Sequence, residues 1–247
     1  MDKLIRGIYT GATGMLSQSR RLDVVANNLA NVNTAGFKKD TLRNESFPEV
    51  LMYRLAQGPV TPIGTLGPGT DTPTIHTDFT RGIIVETSNP FDLALEGPGF
   101  FSVETPNGER YTRNGHFLRD AAGYLVNQEG YYLLGQNGRI QVAASAVVEV
   151  SQDGRVVADG QVVDALRIVG FLPGLGVKEG HSLWLADQVA ELPAPTVRQG
   201  AIERSNVNIV QEMVDMIGIL RAYEANQKVI TTQDELLGKA VNEVGRT

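Results

Sequence analysis

At 247 residues, 42% of them hydrophobic, the chain is long enough to bury a core of its own, as one large domain or two smaller ones. Its net charge of -6 argues against a nucleic-acid-binding surface, which is usually basic. Because the chain contains no cysteine, neither disulfides nor thiolate metal sites can hold the fold, and stability must come from packing.

The N-terminal segment is predicted to form a long helix that packs along another helix. Alternating steps of four and three residues define one face of it, which is the spacing of a helix–helix seam. The residues of this seam are Ile5, Ile8, Ala12, Met15, Ser19, Leu22, Ala26, Leu29 and Asn33. Gly7, Gly11 and Gly14 lie beside the seam, where missing side chains allow two backbones to approach closely. Because this segment is rich in polar residues, it does not resemble a cleavable secretory signal, and any export is expected to use another route.

The first helix is predicted to end between Asn31 and Phe37, because Asn and Gly tolerate the left-handed backbone conformation that ends helices. Four asparagines cluster here, at Asn27, Asn28, Asn31 and Asn33. Asparagine is an indifferent helix former that offers both hydrogen-bond donors and acceptors. The cluster therefore has two interpretations, a solvated face with a cap, or hydrogen-bond partners for another subunit.

Residues 37–75 are predicted to be an extended connector, because Gly and Pro at this density break both helix and strand. Only the stretch from Glu49 to Ala56 is expected to be briefly helical. From residue 76 to residue 200 the pattern alternates and indicates an all-β domain, a small barrel or sandwich of hairpins. Its expected turns include Asn107-Gly108, Asn114-Gly115, Asn137-Gly138 and Asp153-Gly154.

The last segment is predicted to form a second long helix, with its own four-three seam. That seam contains Ile209, Met213, Met216, Leu220, Tyr223, Gln227, Ile230, Asp234, Leu237, Val241 and Val244. Val210, Val214 and Ile217 form a second apolar stripe beside it, which a monomer would leave wet. The fold class is therefore α+β, with residues 1–36 and 201–247 pairing as a coiled coil and the β domain inserted between them. The simpler alternative is two amphipathic helices that cap an ordinary core.

The sequence offers little catalytic chemistry. His76, His116 and His181 stand in unrelated contexts without the spacing of a metal site or triad. Gly97-Pro98-Gly99 matches no phosphate-binding loop and is predicted to be a turn. We expect no cofactor, no metal and no small-molecule substrate.

Three stretches resemble the bacterial flagellar rod and hook axial proteins. The first is Ala26-Asn27-Asn28-Leu29-Ala30-Asn31-Val32-Asn33-Thr34-Ala35-Gly36-Phe37-Lys38. The second comprises Asp92-Leu93-Ala94-Leu95, Gly99-Phe100-Phe101 and Tyr111-Thr112-Arg113-Asn114-Gly115. The third comprises Ser205-Asn206-Val207-Asn208, Glu212-Met213-Val214 and Arg221-Ala222-Tyr223-Glu224-Ala225-Asn226. They follow the order of the family and span nearly the whole chain.

This resemblance implies a structural subunit of the flagellar basal-body rod, without enzymatic activity, that assembles into a helical drive shaft and transmits torque to the hook. In that family the terminal helices form a coiled-coil inner layer and the β domain lies outside. The implied partners are copies of itself, other rod proteins, the hook protein and the flagellar type III export apparatus, with the surrounding ring proteins as a further candidate. The implied location is the basal body, outside the cytoplasmic membrane, after export without a cleaved signal peptide. Whether the chain is a distal or a proximal rod component, or a Gram-positive hook-basal-body protein, stays open.

The assembly interface is expected to combine both helices. It comprises Ile5, Ile8, Met15, Leu22, Asn27, Asn28, Leu29, Asn31, Asn33, Ile209, Val210, Met213, Val214, Met216, Ile217, Leu220, Tyr223, Ile230 and Leu237. The alternative function is a β-rich domain that binds or hydrolyses peptidoglycan or another carbohydrate. It would need a cleft lined by Trp184 or tyrosines and two facing carboxylates from residues such as Glu96, Glu104 and Asp120.

Overall fold

A computed structural model gives the fold. It describes residues 2–43, 50–54, 61–66, 74–143, 146–171, 176–180, 182–186, 188–191 and 196–239. The chain divides into two compact units. The helical unit comprises Met1–Leu29, Asp40–His76 and Ile209–Thr247, and the β unit comprises Ala30–Lys39 and Thr77–Asn208. The predicted α+β class, with long helices at both ends of the sequence and a β-rich middle, is confirmed.

Two long helices belong to the helical unit. Helix α1 spans Asp2–Ala30 and helix α2 spans Ile209–Lys239. The chain leaves α1 where the asparagine-rich stretch predicted, and Gly36 then takes a φ of 68°, a left-handed conformation that favours glycine. Neither helix, as far as the described residues reach, has an apolar stretch long enough to cross a membrane.

The helical unit also contains short strands from the predicted connector. These are β1 (Asp40–Arg43), β2 (Val50–Arg54), β3 (Thr61–Leu66) and β4 (Thr74–Thr77). β2 pairs antiparallel with β3, and β1 pairs with β4. The brief helix expected from Glu49 to Ala56 was wrong, since its described part is the strand β2. Val and Tyr, which occur in this segment, are residue types enriched in β-strands.

The β unit is built from short antiparallel strands. They are β5 (Ile84–Glu86), β6 (Leu93–Leu95), β7 (Phe100–Thr105), β8 (Gly108–Thr112), β9 (Leu118–Arg119), β10 (Leu125–Val126), β11 (Tyr132–Gly135), β12 (Gly138–Arg139), β13 (Val148–Val150), β14 (Arg155–Ala158), β15 (Gln161–Ala165), β16 (Ile168–Gly170), β17 (Gly176–Glu179), β18 (Leu183–Ala186), β19 (Ala190–Glu191), β20 (Val197–Gln199) and β21 (Ala201–Glu203).

The largest sheet has the strand order β17-β18-β8-β7-β11-β10-β9, with β12 beside β11 and β16 between β7 and β19. A three-stranded sheet has the order β13-β14-β15, and β6 pairs with β20 as β5 does with β21. The hairpin signals at Asn107-Gly108 and Asn137-Gly138 are confirmed, because β7 pairs with β8 and β11 pairs with β12 across them. The hairpin expected at Asn114-Gly115 was wrong: β8 pairs with β7 and β18, not with β9.

The main core of the β unit lies beneath these sheets. Phe101, Val103, Phe117 and Leu133 each have no exposed surface within it. A second cluster stacks aromatic rings, with Phe100 lying parallel to Phe171 at a centroid distance of 4.4 Å. Trp184 belongs to this second cluster and is only 2% exposed.

Candidate functional site

The two helices of the helical unit approach each other through glycine. A Cβ atom added at Gly11 would lie 3.0 Å from Cγ1 of Ile230, and one added at Gly14 would lie 3.2 Å from Nδ2 of Asn226. At Gly7 the added atom would lie 2.4 Å from Nε2 of Gln233. Because residue numbers rise along α1 as they fall along α2, the two helices run antiparallel where they meet.

Asn28 extends the same register towards the start of α2. Its Nδ2 donates to Oε2 of Glu212 at 3.2 Å, and both side chains are 1% exposed. In this pair and in those of Gly7, Gly11 and Gly14 the two residue numbers add to 240 or 241. One constant antiparallel register therefore accounts for all four contacts.

This contact face differs by one position from the seam that the apolar pattern predicted on α1. The pattern selected Ile8, Met15 and Leu22, which are half-buried, whereas the side chains of α2 lie against glycines of α1. A count of apolar side chains misses such positions because glycine has none. Ile5 lies within α1 as well.

On α2 much of the predicted seam faces outward. Ile209, Met213 and Leu220 are 41%, 49% and 41% exposed, and Tyr223 is 36% exposed. The second stripe is more exposed still, with Val210 at 71%, Val214 at 59% and Ile217 at 52%. Of the remaining predicted residues on this helix and on α1, Met216, Ile230, Leu237 and Leu29 are half-buried.

The asparagines separate into two groups. Asn28 is bonded on both sides of its amide, since Asp40 N donates to its Oδ1 and its Nδ2 donates to Asp40 O. Asn31 is 5% exposed, and its Oδ1 accepts from Thr34. Both side chains form hydrogen bonds inside the chain, and because both are buried, neither belongs to a solvated helix face. Asn27 and Asn33 are exposed.

A buried charge cluster in the β unit joins the stretches that carry the family resemblance. Lys38 Nζ lies 2.6 Å from Oε1 of Glu203, and Arg113 Nε lies 2.6 Å from Oε2. The side chains are 3%, 1% and 3% exposed in the order Lys38, Glu203, Arg113. Lys38 also donates to Thr80 O at 2.8 Å.

Arg113 holds the neighbouring turn in place. Its Nη2 donates to Leu95 O at 2.8 Å and to Gly97 O at 2.6 Å, and its Nη1 donates to Gly99 O. These contacts fasten the Gly97-Pro98-Gly99 turn to the core. That stretch is a turn, as predicted.

Two cations share one carboxylate in this cluster, and the pKa values reflect that. Burial raises the pKa of Glu203, but the attraction of Arg113 and the hydrogen bond and charge of Lys38 outweigh it, so that its pKa lies below the usual range. Burial lowers the pKa of Lys38. The hydrogen bond and charge of Glu203 raise that pKa again, but not to its usual value, because Arg113 lies close by as a second cation. The cluster is thus a network of ion pairs with one surplus positive charge.

Sequence reasoning missed Glu203. The available signal was a carboxylate at an inward position of a strand, since Ala201 and Glu203 are both buried in β21 while Ile202 is half-buried. A charge at such a position needs a partner, and of the three cations within the resembling stretches, Lys38, Arg113 and Arg221, the first two lie in the β unit.

The carbohydrate alternative finds no support in these side chains. Trp184 is buried among Phe79, Phe100 and Phe171 and cannot offer its ring to a sugar. Glu104 is bonded to Arg139 through both oxygens, at 2.6 and 2.9 Å. Among the described residues, no group of three or more acidic, His or Cys side chains is arranged to hold a metal ion.

Comparison with known protein families agrees with the resemblance. The model "Flagella basal body rod protein" matches residues 8–38, and "Flagellar hook protein FlgE/F/G D1 domain" matches residues 94–158. "Flagellar basal body rod FlgEFG protein C-terminal" matches residues 198–243. The three matches include most of α1, part of the β unit and all of α2.

Individual relatives align over nearly the full chain. The flagellar basal-body rod protein FlgG of Bacillus subtilis is 34% identical over 264 residues, covering 97% of this chain and 99% of the relative. FlgG of Borreliella burgdorferi is 35% identical over 269 residues, covering 97% and 98%. The rod protein FlgF of Caulobacter vibrioides is 34% identical over 257 residues, covering 97% of this chain and 98% of the relative.

Proposed function

The chain belongs to the family of flagellar basal-body rod proteins, and from that premise we propose that the outward faces of α1 and α2 are the surfaces through which it assembles. It is a structural subunit of the rod at the flagellar basal body, and not an enzyme. Assembly with other rod and hook proteins follows from the family.

One observation supports the proposal most strongly: α2 exposes a continuous apolar stripe. Val210, Val214 and Ile217 recur at helical spacing, and each is more than half exposed. Isolated exposed apolar residues are common on protein surfaces, but a contiguous row on one helix face marks an interaction site. In a rod subunit the partner that covers it is a neighbouring subunit.

The finer architecture is part of the proposal. The antiparallel register of α1 and α2 supports a coiled coil in which side chains of α2 lie against glycines of α1. The shared core beneath several sheets supports a sandwich-like or barrel-like closure of the β unit. We further propose that the helices form the inner layer of a helical shaft that transmits torque. Export through the flagellar type III apparatus and contacts with the surrounding rings are proposals that rest on the family alone.

The test is Ile217→Asp, which puts a carboxylate in the middle of the stripe. An unpaired carboxylate that assembly would remove from water carries a large desolvation penalty, so incorporation into the rod should fail. Gln227→Asp is the matched control, because Gln227 is an exposed residue of the same helix away from the stripe. Incorporation is measured in purified basal bodies and by swimming in soft agar, and normal motility of the Ile217→Asp strain would refute the proposed role of the stripe.

A further inference from the structure

Each helix of the helical unit has an exposed apolar stripe. On α1, Tyr9 is 59% exposed and Leu16 is 57% exposed, and exposed Ala12 lies between them at helical spacing. On α2, the corresponding stripe is Val210, Val214 and Ile217. The helical unit therefore carries two such stripes rather than one.

The two stripes lie on opposite outer sides of the helix pair. On α1, Tyr9 and Leu16 each follow a contact glycine by two residues, which is about 200° around the helix. On α2, Val210 lies two residues before buried Glu212 and Val214 lies two residues after it, so each side chain is rotated by about 200° around the helix from Glu212, in opposite directions. Each stripe therefore faces away from the partner helix within the chain.

The stripes are also offset along the helix axis. Within the chain, residues of α1 and α2 that lie side by side have numbers that add to about 240, so Ala12 lies level with Lys228. Val214, at the centre of the α2 stripe, is 14 residues from that level. At about 1.5 Å per residue, the centres of the two stripes are roughly 21 Å apart.

We propose that the α1 stripe of one copy packs against the α2 stripe of a second copy, displaced along the helix axis by roughly 21 Å. This inference rests on the proposed assembly function. At that displacement Tyr9 meets Ile217, Ala12 meets Val214, and Leu16 meets Val210, with numbers that add to 226 in every pair. The spacing of four and three residues on the two stripes matches because the helices are antiparallel.

Such a contact propagates. Each contact uses the α1 stripe of one copy and the α2 stripe of the next, so the series always has an uncovered α1 stripe at one end and an uncovered α2 stripe at the other, where further copies can add. A fixed axial step of this kind produces a helical array and not a closed dimer.

Charge supports the same pairing. In this register residues 2–17 of α1 lie opposite residues 209–224 of α2; the first segment carries two basic residues and one acidic residue, and the second carries three acidic residues and one basic residue. The two segments that meet between copies are therefore opposite in sign. Complementary charge favours this encounter over contact between two α1 or two α2 segments.

The absence of cysteine makes the register directly testable by disulfide trapping. The double variant Ala12→Cys/Val214→Cys places one thiol at the centre of each stripe. Within one chain these positions are roughly 21 Å apart along the axis, too far for a disulfide, whose Cα atoms must lie within about 7 Å. Ala12→Cys/Arg221→Cys is the matched control, because exposed Arg221 lies on the same side of α2 one heptad, about 10 Å, out of register.

The oxidised samples are basal bodies purified from cells that express each variant, analysed on non-reducing gels. We expect the first variant to convert the monomer band into a ladder of linked copies and the control to stay monomeric. Rods that assemble but link only through the control pair, or through neither pair, would overturn the register while leaving the assembly function intact. If Ala12→Cys/Val214→Cys does not assemble, Leu16→Cys/Val210→Cys tests the same register at another level, and failure of both to assemble and link would overturn it. Absence of the unmodified chain from the rod would instead refute the proposed function.

Discussion

Glu203 is predicted to be the most costly single side chain to neutralise in the β unit. Glu203→Gln keeps the size of the side chain but leaves Lys38 and Arg113 as two buried cations without an anion. Breaking a buried ion pair on one side costs about 3–5 kcal/mol of unfolding free energy, because the remaining charge stays out of water. For a chain of this size we expect a fall in Tm of roughly 6–20 °C.

The assay for these variants is the fluorescence of Trp184 during unfolding in urea. Trp184 is the single tryptophan, it is 2% exposed, and it lies in the β unit, so its fluorescence follows unfolding of that unit in urea. Lys38→Met should cost less than Glu203→Gln, because it removes the surplus cation and leaves Arg113 paired with Glu203. Glu104→Gln is the control, since its partner Arg139 is solvent-exposed and its loss should leave the urea midpoint nearly unchanged. If Glu203→Gln unfolds at the same urea concentration as the unmodified chain, the stabilising role of the cluster is refuted.

Three further outcomes follow from the same structure. Because the pKa of Glu203 is lowered in the folded chain, its ion pairs stabilise the β unit fully above the unfolded pKa of about 4.3, and this stabilisation is lost as the pH falls towards the folded pKa. Between neutral and acid pH, the urea midpoint should therefore fall less steeply with pH in Glu203→Gln than in the unmodified chain. Equal slopes would contradict this. Gly36→Ala should destabilise the chain more than Gly130→Ala. Both residues have a positive φ, so an alanine at either position costs about 1–2 kcal/mol of backbone strain, but only at Gly36 would the new Cβ also lie 2.3 Å from the backbone of Arg113. Equal Tm values would show that the close approach is relaxed at no cost. The terminal helices of the dilute monomer should be cleaved by protease before the β unit, because their exposed apolar stripes leave them with few buried contacts. Termini that resist digestion as well as the β unit does would count against this.

The long terminal helices and most of the β turns were predictable because each depends on local sequence. Helical periodicity specified α1 and α2, and Asn-Gly or Asp-Gly pairs marked turns wherever the flanking strands pair with each other. Asn114-Gly115 has the same local sequence but serves a long-range contact, since Leu93 N donates to Gly115 O and a Cβ on Gly115 would lie 1.6 Å from Leu93 O. Local sequence cannot distinguish these two uses of glycine.

The two long helices were predictable from the sequence, but the face through which α1 contacts α2 was not. A stripe of apolar residues looks the same in sequence whether it is buried inside one chain or between two chains. The pattern therefore identified Met213 and Leu220 as members of a seam, although both are exposed, while Gly7, Gly11 and Gly14 are the residues of α1 that lie against side chains of α2. Glu203 was missed for a related reason, because its two cations lie 165 and 90 residues away in sequence.

The most direct test of the central claim is the solvent accessibility of the α2 stripe before and after assembly. Val214→Cys introduces the only thiol of the chain at a position that is 59% exposed in the single chain. A water-soluble maleimide should label this thiol rapidly in the purified monomer and much more slowly in intact basal bodies, while Gln227→Cys serves as the comparison on the same helix. Equal labelling rates of Val214→Cys in the monomer and in the assembled rod would show that no neighbouring subunit covers the stripe.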